Sequence, residues 1–261
     1  MRRGSIAVAV ILIAFDVCSV RQTTSAQARG AGTIRGHVRL IGPLPGNTVI
    51  RMGMDPMCAQ ANAGTRVTQD VVLASRDGSL ANVLVQLKGT FPATPVPTTP
   101  VLIDQRGCIY VPRVVGVRVG QPLQIRNSDG LMHNLHALSA VENGFNVSEP
   151  SAGMVREFRL TREETMMRLR CDIHGWMTAF IGVISHPYFA VSDRAGSFEI
   201  ANVPVGQYSI QAWHERYGLT SQSIDVHAGA TSTLEFSYGT SAIRPSVLFR
   251  SFDATGGVAA H

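Results

Sequence analysis

Apolar residues in this chain recur at every second position over short stretches, and no convincing run shows the 3.6-residue spacing of an amphipathic helix. Val83, Val85 and Leu87 share one face of an alternating run from Asn82 to Leu87, and Ile34 to Leu40 is a second β-like stretch closed by Gly42-Pro43. Val115, Val117 and Val119 precede Gly120-Gln121-Pro122, and Leu123 and Ile125 precede the polar turn Asn127-Ser128-Asp129-Gly130. Strands this short and this closely spaced predict sheets stacked face to face, an all-β fold. The best helix candidate is a single turn around Thr161-Arg162-Glu163-Glu164. Pro92, Pro95, Pro97 and Pro100 mark an extended surface connection.

A second set of strands begins near Pro187. Phe189 to Val191, the turn Ser192-Asp193-Arg194-Ala195-Gly196 and Ser197 to Ile200 read as a hairpin. Tyr208 to Trp213, Ser223 to Val226 and Thr231 to Phe236 supply further strands of a small all-β module. From Ser241 the pattern fades into an expected frayed tail. The division expected from these signals is 1–28, 29–186, 187–238 and a tail at 239–261 of the 261 residues.

The opening segment carries Arg2 and Arg3, an apolar stretch from Ile6 to Val17 and a polar run ending Ala26-Gln27-Ala28. This is the form of an export signal with a small-x-small cleavage site, which places the product in the periplasm or at the cell surface of a bacterium. No apolar run reaches the roughly 18–20 residues that span a bilayer, so no transmembrane anchor is expected after cleavage. Residues 29–261 hold 20 basic and 17 acidic side chains, and Lys88 is the only lysine, a balance with no strong pull toward nucleic acid. Cleavage also removes Cys18 and leaves Cys58, Cys108 and Cys171 in an oxidising compartment. Cys58 lies in a loop-like stretch and Cys108 follows the turn signal Gln105-Arg106-Gly107, and these two are the expected disulfide. Cys171 is left over, a thiol that a bound metal would protect.

The chemistry concentrates in Cys171-Asp172-Ile173-His174-Gly175-Trp176-Met177. In the preceding Met167-Arg168-Leu169-Arg170, Met167 and Leu169 share a face with Cys171, so the thiol enters from the core side and both arginines point the other way. His133 must come from another strand, and its neighbours Asn134 and His136 face away from it. A thiolate, a thioether and two imidazoles form a donor set suited to copper cycling between Cu(I) and Cu(II). A structural zinc site would normally bring more Cys and His, and a dinuclear copper site would need a second cysteine in the loop.

The two segments resemble the type 1 copper site of the cupredoxins, the plastocyanin and amicyanin group, with a loop spacing like that of amicyanin. The resemblance covers about residues 33–186. It implies a Greek-key sandwich, His133, Cys171 and His174 as equatorial ligands and Met177 as the axial one. It also implies that Asn134 ties the His133 strand to the Cys171 loop. Ile173 stands where plastocyanin-like proteins often carry Pro, and His136 adds a nearby imidazole that is not counted as a ligand. Residues 187–238 resemble the carboxypeptidase-regulatory-like, or transthyretin-like, β-sandwich of the carbohydrate-binding-like folds. The segments that carry this likeness are Gly196-Ser197-Phe198-Glu199-Ile200, Val203-Pro204-Val205-Gly206-Gln207-Tyr208 and Ala212-Trp213-His214-Glu215.

The function these features imply is one-electron transfer by an exported copper protein, with His174 as the exit toward solvent and a redox protein as partner. Arg156, Arg159, Arg162, Arg168 and Arg170 would form a basic docking face or stand as scattered solvated arginines. No acid/base pair, activated nucleophile or phosphate loop accompanies the site, so the chain is not read as an enzyme. The competing class is a binding protein for copper capture, or for a surface glycan through exposed aromatics such as Tyr208, Trp213 and Tyr217.

Overall fold

The computed structural model describes residues 30–239, and nearly all of its regular structure is strand. The expected export signal, and the expected tail beyond Gly239, lie outside the described residues. In chain order the elements begin with β1 (Ala31–Ile41), the short helix α1 (Pro56–Ala61), β2 (Leu84–Lys88), β3 (Val101–Gln105), β4 (Tyr110–Val111) and β5 (Val114–Arg118). They continue with β6 (Pro122–Asn127), β7 (His133–Leu138), β8 (Phe145–Glu149), β9 (Val155–Arg159), β10 (Glu164–Arg170) and β11 (Thr178–Ile184). The last five are β12 (Phe189–Val191), β13 (Ser197–Pro204), β14 (Gly206–His214), β15 (Gly218–Val226) and β16 (Thr231–Gly239).

Four sheets make two sandwiches. The first stacks β5-β11-β10-β7-β8 on β4-β3-β6-β9 around Ile103, Leu123, Ile125, Leu135, Met167 and Leu169, all fully buried. The second stacks β13-β1-β16 on β12-β2-β14-β15 around Ile34, Val38, Val85, Leu87, Ile210 and Phe236. The period-2 pattern accounts for both: in β10, Met167 and Leu169 are buried while Met166, Arg168 and Arg170 are half-buried on the opposite face.

The connectivity departs from the boundary expected at 186/187. β1 pairs with β13 and β16, and β2 pairs with β12 and β14, so both belong with the C-terminal strands. The first sandwich is therefore inserted between β2 and β12 of the second. Alternation within a strand reveals a buried face and is silent about which sheet buries it. For the same reason the expected hairpin at 189–200 is not formed. Its turn exists, with Gly196 N–H donating to the Asp193 carbonyl at 2.9 Å, but β12 and β13 leave it into opposite sheets. The helical turn expected at 161–164 is an irregular bend leading into β10. α1 forms instead where a loop was expected: Asp55 accepts the backbone N–H groups of Met57 and Cys58, and Pro56 fills the first position. The proline-rich connection at 92–100 is extended and mostly exposed, as expected.

The sandwiches meet along a seam where Leu84, Val114 and Ile184 are buried and Met166, Phe180, Phe189 and Val191 pack around them. Gly116 and Gly182 are register partners on the parallel β5 and β11, and their missing side chains leave a flat site on the sheet face. A Cβ on Gly182 would stand 2.5 Å from a Leu84 methyl, and one on Gly116 would strike the Phe189 ring. Arg113 and Glu215 close one end of the seam with paired hydrogen bonds, Nη2 to Oε2 at 2.8 Å. Of the three aromatics considered for glycan contact, Tyr217 is buried. Trp213 is half-buried against Phe180, and Tyr208 is half-buried with its hydroxyl donating to the Pro204 carbonyl.

Gly182→Val is expected to overpack this seam and lower stability by about 1–3 kcal/mol. A denaturant midpoint equal to that of the parent chain would show that Leu84 does not seat on the glycine.

Candidate metal centre

His133 opens β7, directly after a turn braced by the buried Asn127. The Asn127 amide donates to the carbonyls of Leu131 at 2.9 Å and Glu149 at 3.0 Å, and its oxygen accepts the Asp129 N–H at 2.9 Å. Between β10 and β11 the segment from Cys171 to Met177 closes on itself. The Cys171 N–H donates to the Met177 carbonyl at 3.3 Å and the Met177 N–H to the His174 carbonyl at 2.8 Å. The spacing Cys-x2-His-x2-Met is thereby held in one tight loop.

These two segments bring three donors together. His133 Nδ1 lies 3.1 Å from His174 Nδ1, and Cys171 Sγ lies 3.7 Å from the same nitrogen. All three side chains are buried. Cys171 is the one free cysteine among the described residues, and its sulfur accepts the Asn134 N–H at 3.3 Å. Burial opposes its ionisation, but hydrogen bonds from His133 and from the backbone of His174, Asn134 and Ile173 outweigh that and lower its pKa to about 7. Met177 is fully buried in the same apolar cluster as Cys171. Asn134 links the two segments: its Oδ1 accepts the Asp172 N–H at 3.2 Å while its amide donates to Asn146 at 2.7 Å. His136 lies apart, its Nδ1 held by Asp172 at 2.9 Å on the outer face.

Two carboxylates that sequence reasoning passed over hold the far edges of the imidazoles. His133 Nε2 donates to Asp129 at 2.8 Å, and His174 Nε2 donates to Asp55 at 2.9 Å. Each carboxylate is itself fixed by backbone: Asp129 by the N–H groups of Gly107 and Cys108 at 2.7 and 2.8 Å, Asp55 by the first turn of α1. Burial works against the His133 imidazolium, yet Asp129 and Cys171 raise its pKa to about 9. With both Nε2 atoms engaged, both Nδ1 atoms turn inward, where two nitrogens at 3.1 Å require a proton or a cation between them. Asp129 had a sequence signal, since it stands four residues before His133 in a turn. Asp55 had only the Asp-Pro start of a helix.

The disulfide expected between Cys58 and Cys108 is present, and it has a role beyond stapling. It holds α1 over the centre, with Cys58 Sγ 3.6 Å from His174 Nε2. The Trp176 indole donates to the Cys108 carbonyl at 2.9 Å, and its ring lies 5.2 Å from that of His174. His174 is consequently 1% exposed. The expected exit to solvent through His174 is therefore corrected: α1, the disulfide and Trp176 stand over the imidazole edge.

No family model and no curated protein matches the chain. Among solved structures it is similar to the Cu-containing nitrite reductase of Thermus scotoductus SA-01, at 20% identity over 36% of this chain with a TM-score of 0.29. The chain spans only 24% of that enzyme's length. It is also similar to a novel purple cupredoxin from Nitrosopumilus maritimus (19% identity, 31% of this chain and 97% of that one, TM-score 0.28). A reduced mutant of amicyanin matches at 17% identity over 38% of this chain and 97% of that one, with a TM-score of 0.30.

Asp129→Ala is expected to weaken metal binding by about 10–100-fold, measured by competition against a chromophoric chelator. Asp172→Ala, whose carboxylate touches His136, Arg170 and Asn146, serves as the control and should bind as the parent does. Equal affinities for the two variants would remove Asp129 from the centre.

Proposed function

We propose that the centre would hold a single copper ion in a type 1 site, with His133, Cys171, His174 and Met177 as its ligands. The protein then works as a one-electron carrier outside the cytoplasm, exchanging electrons with a redox protein. The observation that carries this reading is the convergence of two imidazole Nδ1 atoms on a buried free thiol of lowered pKa, with both outer ring nitrogens already engaged by carboxylates. Bound there, copper supplies reversible one-electron chemistry, for which a thiolate with two neutral imidazoles suits both oxidation states.

The chain's own residues supply rigidity and exclusion. Asp129 and Asp55 fix the ring orientations, Asn134 and the Asn134-to-Cys171 hydrogen bond fix the thiol, and the closed loop fixes His174 relative to Met177. His133, Cys171 and His174 are at most 2% exposed, so water and substrates are kept from the donors. That burial favours a carrier over a site that must admit and transform a substrate. In the same reading the flanking sandwich is the carboxypeptidase-regulatory-like unit, acting as a rigid mount whose own activity is not needed for transfer.

Cu(II) added to the chain from Arg29 onward is expected to give an intense thiolate absorption band and narrow copper hyperfine splitting, bleached by reductant and restored by oxidant. Cys171→Ser should abolish the band and keep the β-sheet circular dichroism. A band that survives the substitution, or a folded copper-bound chain without one, would sink the assignment.

Loading should also release protons, because His133 with a pKa of about 9 and Cys171 with one of about 7 must both lose theirs. Raising the pH favours the ligating forms. Affinity should climb about tenfold per pH unit between those two values, where one proton leaves, and more steeply below, where a second must leave. A flat affinity profile from acid to alkaline pH would show that neither residue binds the metal.

A further inference from the structure

A cleft of about 740 Å³ lies along the seam between the sandwiches, a size usual for small-molecule sites. Its apolar walls are Trp176 from the metal loop, Met166 and Phe180 from the outer face of the inserted sandwich, and Trp213 from the flanking one. The chain has two tryptophans, and both line this cleft.

The charges within it are unequally satisfied. Glu215 is engaged by Arg113, and Glu164 accepts the Ser139 hydroxyl at 2.6 Å and the Ala140 N–H at 2.7 Å. Arg168, opposite Phe180 across the β10–β11 pair, has only a long contact from Nη2 to the Thr178 hydroxyl, at 3.4 Å. Its Nε is buried and has no hydrogen-bond partner among the described residues. Burial, reinforced by Arg170 and Arg113 and opposed by Glu215, pulls its pKa below the ordinary guanidinium range. A half-buried guanidinium whose buried Nε is unpartnered and whose outer nitrogens make one long contact is an arrangement that a carboxylate on the outer nitrogens would relieve, since its two oxygens match the planar fork.

We infer that the cleft binds a small organic carboxylate with a planar apolar body, its anion on Arg168 and its ring against the tryptophan and phenylalanine walls. The occupant would sit one side chain from the metal centre, because the Trp176 ring that lines the cleft is 5.2 Å from the His174 ring. Binding itself requires no metal and stands apart from the electron-transfer reading.

The test is a titration of the metal-free full chain with benzoate, followed by tryptophan emission and by calorimetry. A saturable change is expected with benzoate, and binding about tenfold weaker or less with benzamide, which has the same ring without the charge. Arg168→Gln should erase the preference for benzoate while leaving the unfolding transition in place. If that variant fails to fold, Arg168→Lys replaces it: it keeps the charge and loses the fork, and should weaken benzoate by about tenfold. No saturable benzoate signal, equal binding of benzoate and benzamide, or undiminished benzoate binding in the folded Arg168 variant would overturn the inference.

Discussion

Two imidazoles facing each other nitrogen to nitrogen, with a sulfur beside them, are tolerable in an apolar interior only when everything around them is satisfied. Much of the structure near the centre answers that demand. Asp129 and Asp55 take the outward ring nitrogens, backbone N–H groups take the remaining capacity of those carboxylates, and the Asn134 N–H takes the thiol. The supporting groups come from the linker before β2, the turn after β3, the start of β7 and the loop after β10. A cluster assembled from parts so distant in sequence forms only once the sandwich has closed, so the donor geometry belongs to the folded state as a whole.

The same demand explains the position of α1. A histidine edge left in water would be a soft point in the cage, and a short helix is a poor lid by itself because so few residues give little intrinsic stability. Here the helix is capped by the carboxylate that binds His174 and anchored by the disulfide to the strand region that positions Asp129. Cap, imidazole clamp and covalent tether thus share residues. The linker between β1 and β2 is longer than a simple connection because it travels from one sandwich to the site of the other and back.

The sequence was most legible where one residue's own chemistry decides the outcome. Alternation in β2, β5, β6 and β10 showed which faces are apolar, and the Cys171 to Met177 spacing marked the donor loop because those residue types have few other reasons to be crowded together. The partition into sandwiches was hidden because β1 and β2 alternate as any strand does, and their partners are about 165 and 105 residues away in the cases of β13 and β12. β2 in addition is buried on both faces, Leu84 toward the seam and Val85 and Leu87 toward the flanking core, so its pattern does not say which neighbour is primary. Asp55 and the burial of His174 were hidden for a related reason: a capping aspartate looks the same whether its second oxygen faces water or an imidazole.

Asp55 and Asp129 are both held below the usual carboxylate range, Asp55 chiefly by hydrogen bonds from Cys58 and His174, Asp129 against the opposing effect of burial by His133 and the N–H groups of Cys108 and Gly107. Two carboxylates and an easily ionised thiol therefore surround the imidazoles, and the excess negative charge is offset by retaining a proton on His133 well above the ordinary histidine range. A metal cation held between the inward-facing donors would take the place of that positive charge. A cage whose resting state is already organised around a positive charge needs little rearrangement to accept a cation. The carboxylates that impose this also favour the more highly charged state of whatever cation is held.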